Sequence, residues 1–156
     1  MSRLPEYIDE IDEGGYEVAD LQSQQQKISQ ARYAAVMCNN KQLRVIIAGG
    51  RDIHDYNLVK EAIAECQFPI ATVVSGGAKG VDAMGEQYAE EMNLKLNIYP
   101  ADWETHGRAA GPIRNRKMAE NADALIAIWD GKSRGTKNMI ETAQKKGLLV
   151  YVKEVK

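Results

Sequence analysis

The chain has 156 residues, of which 44% are hydrophobic and 27% charged, and its formal net charge is −2 at pH 7. This length is typical of one domain that buries a core without help from a disulfide or a metal. The charge balance excludes a general attraction to nucleic acid or anionic lipid, so we expect any anion to be bound by local geometry. The sequence contains no apolar run of membrane-spanning length and no signal-peptide pattern, so we expect a cytoplasmic protein.

The first 42 residues differ in composition from the rest of the chain. An acidic stretch over 6–15 is followed by a Gln-rich segment over 22–30. Weak helical periodicity predicts one helix over 16–38, which could lie against the domain as a solvated helix or could join subunits. We therefore divide the chain into an N-terminal acidic and Gln-rich extension over 1–42, predicted to form one helix, and a domain over 43–156.

From residue 43 onwards, apolar β-branched runs alternate with segments of helical periodicity. In chain order the pattern predicts strand 43–48, helix 56–66, strand 70–74, helix 81–92, strand 94–99, a loop over 100–112, helix 113–121, strand 124–129, helix 136–146 and strand 148–152. Such alternation forms right-handed βαβ units. We expect a Rossmann-like three-layer α/β sandwich with a five-stranded parallel sheet in the order 3-2-1-4-5.

Glycines and cations follow three of the predicted strands, over 49–52, 75–82 and 130–137. Parallel sheets bind ligands beyond the carboxyl ends of their strands at the switch point, which here lies between strands one and four. Small residues that lead into a helix leave backbone N–H groups available to a phosphate. A glycine in one such loop could merely reverse the chain, but three loops with cations predict an anion site. The G-x-G-x-x-G and Walker patterns are absent, which argues against an ordinary NAD dehydrogenase or P-loop NTPase.

Residues 101–117 combine an aromatic, a histidine and four cations. Trp103 could stack on a base or sugar, although an exposed basic loop with Trp103 packed on the core is an alternative. Arg114 and Arg116 are two residues apart and cannot share one helical face, so we expect one of them to point at the ligand. The cysteines, Cys38 and Cys66, lack metal-ligand spacing and are interpreted as free thiols; we predict no metal and no cofactor.

Five sequence motifs together resemble the YspA-like branch of the SLOG superfamily. They are residues 48–52, 75–82, 100–103 and 109–118, and the pair 135–136. This Rossmann-like superfamily includes the Lonely Guy phosphoribohydrolases, the DNA-processing protein DprA and molybdenum-cofactor carrier proteins. The resemblance implies a nucleotide-derived ligand at the strand ends and a homo-oligomer, either a dimer or a larger assembly.

The residues that we expect to bind this ligand come from the strand ends and from the 101–117 segment. They are Gly49, Gly50, Arg51, Ser75, Gly76, Gly77, Ala78, Lys79, Asp82, Asp102, Trp103, Arg114, Asn115, Arg116, Arg134, Gly135, Thr136 and Lys137.

The resemblance leaves the chemistry open. Lonely Guy enzymes cleave the N-glycosidic bond of nucleoside monophosphates with an Arg and a Glu, and their Arg-Lys pair resembles Arg116 and Lys117. Their Gly-Thr pair is followed closely by acidic residues, whereas here Asn138 occupies this region and the first acid is Glu141. Glycosidic cleavage passes through a cationic sugar that a carboxylate should stabilise, and Asn138 lacks that charge. The catalytic candidates are therefore Arg116, Asp102 and Glu141, with Asp82 and Glu104 as other possible carboxylates.

We favour a binding module that senses, carries or sequesters a nucleotide-derived, phosphate-bearing small molecule. The alternative is a nucleotide N-glycosidase or phosphoribohydrolase, and a third interpretation is an interaction scaffold that uses the N-terminal helix. The sequence does not decide whether the protein is an enzyme. DNA binding like that of DprA is not expected, because the chain is acidic overall and too short for the additional parts of that protein.

Overall fold

The structure is a computed structural model that describes residues 42–156. The predicted helix over 16–38, and with it nearly all of the N-terminal extension, lies outside the described residues. In chain order the elements are β1 (Leu43–Gly49), α1 (Tyr56–Cys66), β2 (Ile70–Ser75), α2 (Val81–Glu91), β3 (Lys95–Ile98), α3 (Trp103–His106), a 3-10 turn (Gly107–Ala109), α4 (Ala110–Glu120), β4 (Ala124–Trp129), α5 (Arg134–Lys145) and β5 (Leu149–Glu154).

The five strands form one parallel sheet in the order β3-β2-β1-β4-β5. This confirms the predicted Rossmann-like α/β fold and the predicted strand order. β1 lies at the centre and pairs with both β2 and β4, so the chain changes direction across the sheet between β1 and β4. The carboxyl ends of these two strands therefore border the switch point at which such sheets bind ligands.

Apolar side chains fill both faces of the sheet. On one face, Val45 and Ile47 of β1 pack with residues of α1 and α2, such as Val59. On the other face, Ile46 packs with residues of α4 and α5, such as Met139. Burial of each side chain of this size contributes about 1.5–3 kcal/mol, and the alternation of faces along β1 is what gives the fold its three layers.

The start of α4 differs from the sequence prediction. The predicted loop over 100–112 contains the short helix α3 and a 3-10 turn, and α4 begins at Ala110 rather than at residue 113. Pro112 misled the prediction because it is the third residue of α4. A proline is tolerated in the first turn of a helix, where its missing N–H would have no helical partner.

β3 forms an exposed edge of the sheet. All four of its residues are exposed, including Leu96 at 37% and Ile98 at 48%. Within residues 42–156, Cys66 is a buried free thiol, and no group of three or more His, Cys, Asp or Glu side chains could hold a metal ion. No helix in this part of the chain has the length and apolar character needed to span a membrane.

Candidate functional site

Two adjoining cavities, each of about 760 Å³, open at the carboxyl ends of the strands. The β4-side cavity is lined mainly by the loops after β1 and β4 and by the first turns of α4 and α5. The β2-side cavity is lined by the loops after β1, β2 and β3. Together the two cavities form a cleft at the predicted position, over the switch point of the sheet.

Most of the predicted ligand-binding residues meet in this cleft. Those that line the β4-side cavity are Gly49, Gly50, Arg51, Ala78, Asp82, Trp103, Arg114, Asn115, Arg134, Gly135 and Thr136. Those that line the β2-side cavity are Arg51, Gly76, Gly77, Ala78, Lys79, Trp103 and Arg114. The motifs that are separated in sequence by up to about 90 residues are thus brought to one edge of the sheet.

Four predicted ligand-binding residues line neither of these two cavities. Ser75 is fully buried at the end of β2, whereas Asp102, Arg116 and Lys137 are exposed. The Asp102 carboxylate caps α3 by accepting a hydrogen bond from the Thr105 N–H at 3.1 Å, and the hydrogen bonds from Thr105 lower its pKa. Glu141, the third catalytic candidate, is exposed on α5 and also lies outside both linings.

Arg114 is the arginine of the Arg114–Arg116 pair that lies in the cleft. Its Nη1 donates a hydrogen bond to the Gly76 carbonyl at 2.5 Å, and its Nε donates to Asn115 Oδ1 at 3.0 Å. Burial lowers the pKa of Arg114, with nearby Asp82 raising it and Arg51 lowering it further. These contacts hold a partly desolvated cation between α4 and the loop after β2, where its charge is screened less than at the surface.

Asp82 places a carboxylate in the wall of the β4-side cavity. It lies in the first turn of α2, is only 6% exposed, and accepts a hydrogen bond from the Ala78 N–H at 3.2 Å. Burial raises its pKa, while the Ala78 N–H and the Arg114 charge act in the opposite direction. Of the acids that line this cavity, Asp82 is the one that is buried.

The loop after β4 is folded around its own polar side chains. Asp130 Oδ1 accepts hydrogen bonds from the N–H groups of Lys132 and Ser133, both at 2.8 Å, which lowers the Asp130 pKa. Ser133 then caps α5, since its Oγ accepts a hydrogen bond from the Thr136 N–H at 3.3 Å. These bonds aim the positive end of the α5 dipole at the β4-side cavity.

Asn115 joins the two helices on one side of the cleft. Its Nδ2 donates to Asn138 Oδ1 at 2.9 Å and to the Gly135 carbonyl at 3.4 Å. Asn138 itself lines the β4-side cavity. Lonely Guy enzymes have acidic residues in the region of Asn138. Here Asn138 instead places an amide in the cleft, and this amide is hydrogen-bonded to the amide of Asn115.

Several cleft residues were not among the predicted ligand-binding residues, although most of them lie in the segments that the sequence analysis singled out. They are Ala48, Asp52, Ile53, His54, Pro100, Ala101, Arg108, Gly111, Pro112, Met118, Asp130, Lys132, Ser133 and Asn138. The residues at 108–112 could have been found if the early start of α4 had been recognised. Met118 follows Arg114 by four residues and so shares its helical face, a signal that was present in the sequence.

The β4-side cavity has an excess of positive charge. Its lining includes five cations (Arg51, Arg108, Arg114, Lys132 and Arg134) and three acids (Asp52, Asp82 and Asp130). The chain as a whole has a net charge of −2, so the cavity differs in sign from the protein average. Trp103 is 49% exposed and has the Arg51 guanidinium 5.9 Å from its ring centroid, close enough for a cation–π contact. This combination can hold an anion beside an aromatic surface.

The fold and the cleft together define a Rossmann-like α/β protein with its candidate site at the switch point. The model of the YspA, cpYpsA-related SLOG family matches residues 43–106. The Gene 61 protein of Mycobacterium phage D29 is 37% identical over 116 residues, which cover 69% of this chain and 93% of that protein. The chain belongs to the YspA, cpYpsA-related SLOG family.

The X-ray structure of DNA processing protein A (DprA) from Streptococcus pneumoniae has a similar fold. The TM-score is 0.58 at 18% sequence identity, and the match covers 70% of this chain. The chain spans about half of the DprA chain, with 49% of it covered. At this identity the likeness shows the fold alone.

Proposed function

We propose that this protein binds a nucleotide-derived, phosphate-bearing small molecule in the cleft and thereby senses, carries or sequesters it. The observation that carries this proposal is the local excess of cations around glycine-containing loops at the switch point, in a chain of net negative charge. Membership of a SLOG family supports a ligand related to nucleotides.

The first turn of α5 is the part of the cleft best suited to a phosphate. A Cβ atom added at Gly135 would meet nothing within 4 Å among the described residues beyond its chain neighbours and its own helix backbone, so there is open space for an anion beside this position. Arg134 and Lys132 flank this position, and the helix dipole favours negative charge at the same point. Trp103 supplies an exposed aromatic face on which a base can stack.

The placement of the acids favours binding over hydrolysis. Asp102 caps α3, and Glu141 is exposed outside both cavity linings. Neither is positioned to stabilise a cationic sugar in the cleft. Of the carboxylates that line the β4-side cavity, Asp52 and Asp130 are exposed, whereas Asp82 is buried and has a raised pKa. The N-glycosidase or phosphoribohydrolase alternative is therefore best tested at Asp82. A raised pKa is typical of carboxyl groups that transfer protons.

The test is mass spectrometry of a nucleotide panel incubated with the purified full chain, reading both the free solution and the fraction released by heat. We expect a ligand that is recovered intact only after heating. Release of free base and ribose phosphate by the parent chain, but not by the Asp82→Asn variant, would instead establish the hydrolase. Loss of that activity in Arg116→Ala would return the catalytic role to Arg116. Recovery of neither ligand nor product would overturn both functions.

We also propose a cytoplasmic homo-oligomer, either a dimer or a larger assembly, with no nucleic acid or membrane partner. Light scattering during size-exclusion chromatography measures the assembly directly, with a monomer as the contradicting result. DprA is named as a DNA processing protein. We do not propose DNA as a partner of this chain, because a net charge of −2 gives no general attraction for a phosphate backbone.

A further inference from the structure

The cleft has two compartments that share a wall. Arg51, Asp52, Ala78, Trp103 and Arg114 line both the β4-side and the β2-side cavities. Each cavity has a volume of about 760 Å³, and pockets of about 300–1,000 Å³ hold one small ligand. A mononucleotide would therefore occupy one compartment and leave the other to solvent.

The two linings differ in chemistry. Beyond the shared Trp103, the β4-side cavity includes the apolar surfaces of Ile53, Pro112 and Met118, which suit a base. The β2-side cavity contains His54 and Lys79 among small residues, which suits the hydroxyl groups of a sugar. The two ends of the cleft thus favour two different ends of a ligand.

The shared wall is built for the middle of such a ligand. Arg51 and Arg114 line both cavities, and the Arg51 charge contributes to the lowered pKa of Arg114. The Gly76 carbonyl and Asn115 Oδ1 accept hydrogen bonds from Arg114 and hold its side chain in the shared wall. An anion between the two guanidinium groups would replace the repulsion between their charges with charge-assisted hydrogen bonds.

We propose that the ligand is a nucleoside diphosphate sugar. Its nucleoside and first phosphate lie in the β4-side cavity, with that phosphate at the first turn of α5, its second phosphate lies against Arg51 and Arg114, and its second sugar lies in the β2-side cavity. This inference rests on the proposed function and specifies its ligand class. It gives Lys79 a role that a mononucleotide site lacks, because Lys79 lines the β2-side cavity and not the β4-side cavity.

The experiment is isothermal titration calorimetry of the full chain with three matched series of probes. Each series contains a nucleoside monophosphate, the diphosphate and a diphosphate sugar: AMP, ADP and ADP-ribose; UMP, UDP and UDP-glucose; GMP, GDP and GDP-mannose. For the base that binds, we expect the diphosphate sugar to bind at least about tenfold more tightly than the monophosphate.

Three variants locate the second sugar. Lys79→Ala should weaken binding of the diphosphate sugar by about tenfold and leave the monophosphate unchanged. Arg134→Ala, which changes the β4-side cavity alone, should weaken both probes by the same factor. Lys145→Ala is the matched control for loss of one positive charge, since Lys145 lies at the end of α5 outside both linings, and it should change neither affinity.

Two results would overturn the inference alone. One is equal affinity for the monophosphate and the diphosphate sugar of the base that binds. The other is a Lys79→Ala effect of the same size on both probes, which would place Lys79 in a general electrostatic role. Absence of binding to every probe would overturn the proposed function together with this inference, so the two failures are distinguishable.

Discussion

The loop after β2 and the loop after β4 both lead from a strand into a helix at the cleft, and both contain glycines. After β2, a Cβ atom at Gly80 would collide with the Gly50 carbonyl oxygen, and one at Gly76 would collide with the Arg114 guanidinium. After β4, a Cβ atom at Gly135 would point into open space, with nothing of the described residues within 4 Å apart from its chain neighbours and the backbone of its own helix. Glycines that look alike in sequence therefore have different roles. Gly76 and Gly80 allow other parts of the protein to pack closely against the backbone, whereas Gly135 leaves open space at the start of α5.

The largest effect should come from Gly80→Val. Gly80 has a φ of +76°, and its neighbour Val81 donates a hydrogen bond to the Gly50 carbonyl at 3.2 Å. A side chain there would be strained and would separate the loop after β1 from α2. We expect the free energy of unfolding to fall by about 3 kcal/mol in chemical denaturation. A loss below about 1 kcal/mol would contradict the contrast between the two loops.

Gly135→Val should leave the fold intact and weaken ligand binding. The valine side chain would enter the space in front of the first turn of α5, where we place a phosphate. We expect an affinity loss of about a hundredfold by calorimetry, with a change in unfolding free energy below about 0.5 kcal/mol. Gly135→Ala is the graded control, with a smaller loss. Unchanged affinity in both variants would remove α5 from the site.

Ser75→Ala tests why the loop after β2 is firmly held. The fully buried Ser75 Oγ accepts a hydrogen bond from the Gly77 N–H at 3.1 Å and donates to Glu86 Oε2 at 2.7 Å. Loss of this link should lower the free energy of unfolding by about 1–2 kcal/mol. A double-mutant cycle with Glu86→Ala should show coupling. Additive effects would mean that Ser75 and Glu86 act independently.

Asp82→Asn should have a small effect on stability, with a characteristic pH dependence. Burial raises the pKa of Asp82 in the folded chain, so the fold favours the protonated carboxyl and loses stability as the pH rises through that raised value. The asparagine variant should therefore be more stable than the parent at pH 7, by up to about 1 kcal/mol. The difference should vanish below the ordinary aspartate pKa of about 4. A variant that is less stable at pH 7 would show that the Arg114 charge outweighs burial.

The fold could be predicted in detail because its signals are local. The spacing of Leu58, Val59 and Ala62 predicted α1 with its observed bounds, and the apolar run over 124–129 did the same for β4. The order of the sheet followed from the alternation of strands and helices. The cleft followed from this topology, since its loops come directly after the strands.

The rest of the site depends on contacts that periodicity does not encode. The spacing of Arg114 and Arg116 predicted that one of them would face the cleft. The choice depends on how α4 packs through Met118 and Ala119, for which the position of Met118 four residues after Arg114 is only a partial signal. The capping role of Asp102 depends on a helix start at Trp103 that the sequence prediction treated as loop. The contact made by Asn138 could not be predicted, because its partner Asn115 is distant in sequence.

The hydrogen bonds around the cleft have a consequence for how fast and how tightly a ligand binds. The Val81 N–H donates a hydrogen bond to the Gly50 carbonyl, and Arg114 donates one to the Gly76 carbonyl. Asn115 donates a hydrogen bond to Asn138 and so joins α4 to α5. These cross-links join the rim of the cleft into one preorganised frame that has little conformational entropy left to lose. Association should therefore proceed in a single kinetic phase without a slow closing step, and differences in affinity between ligands should lie in their residence times.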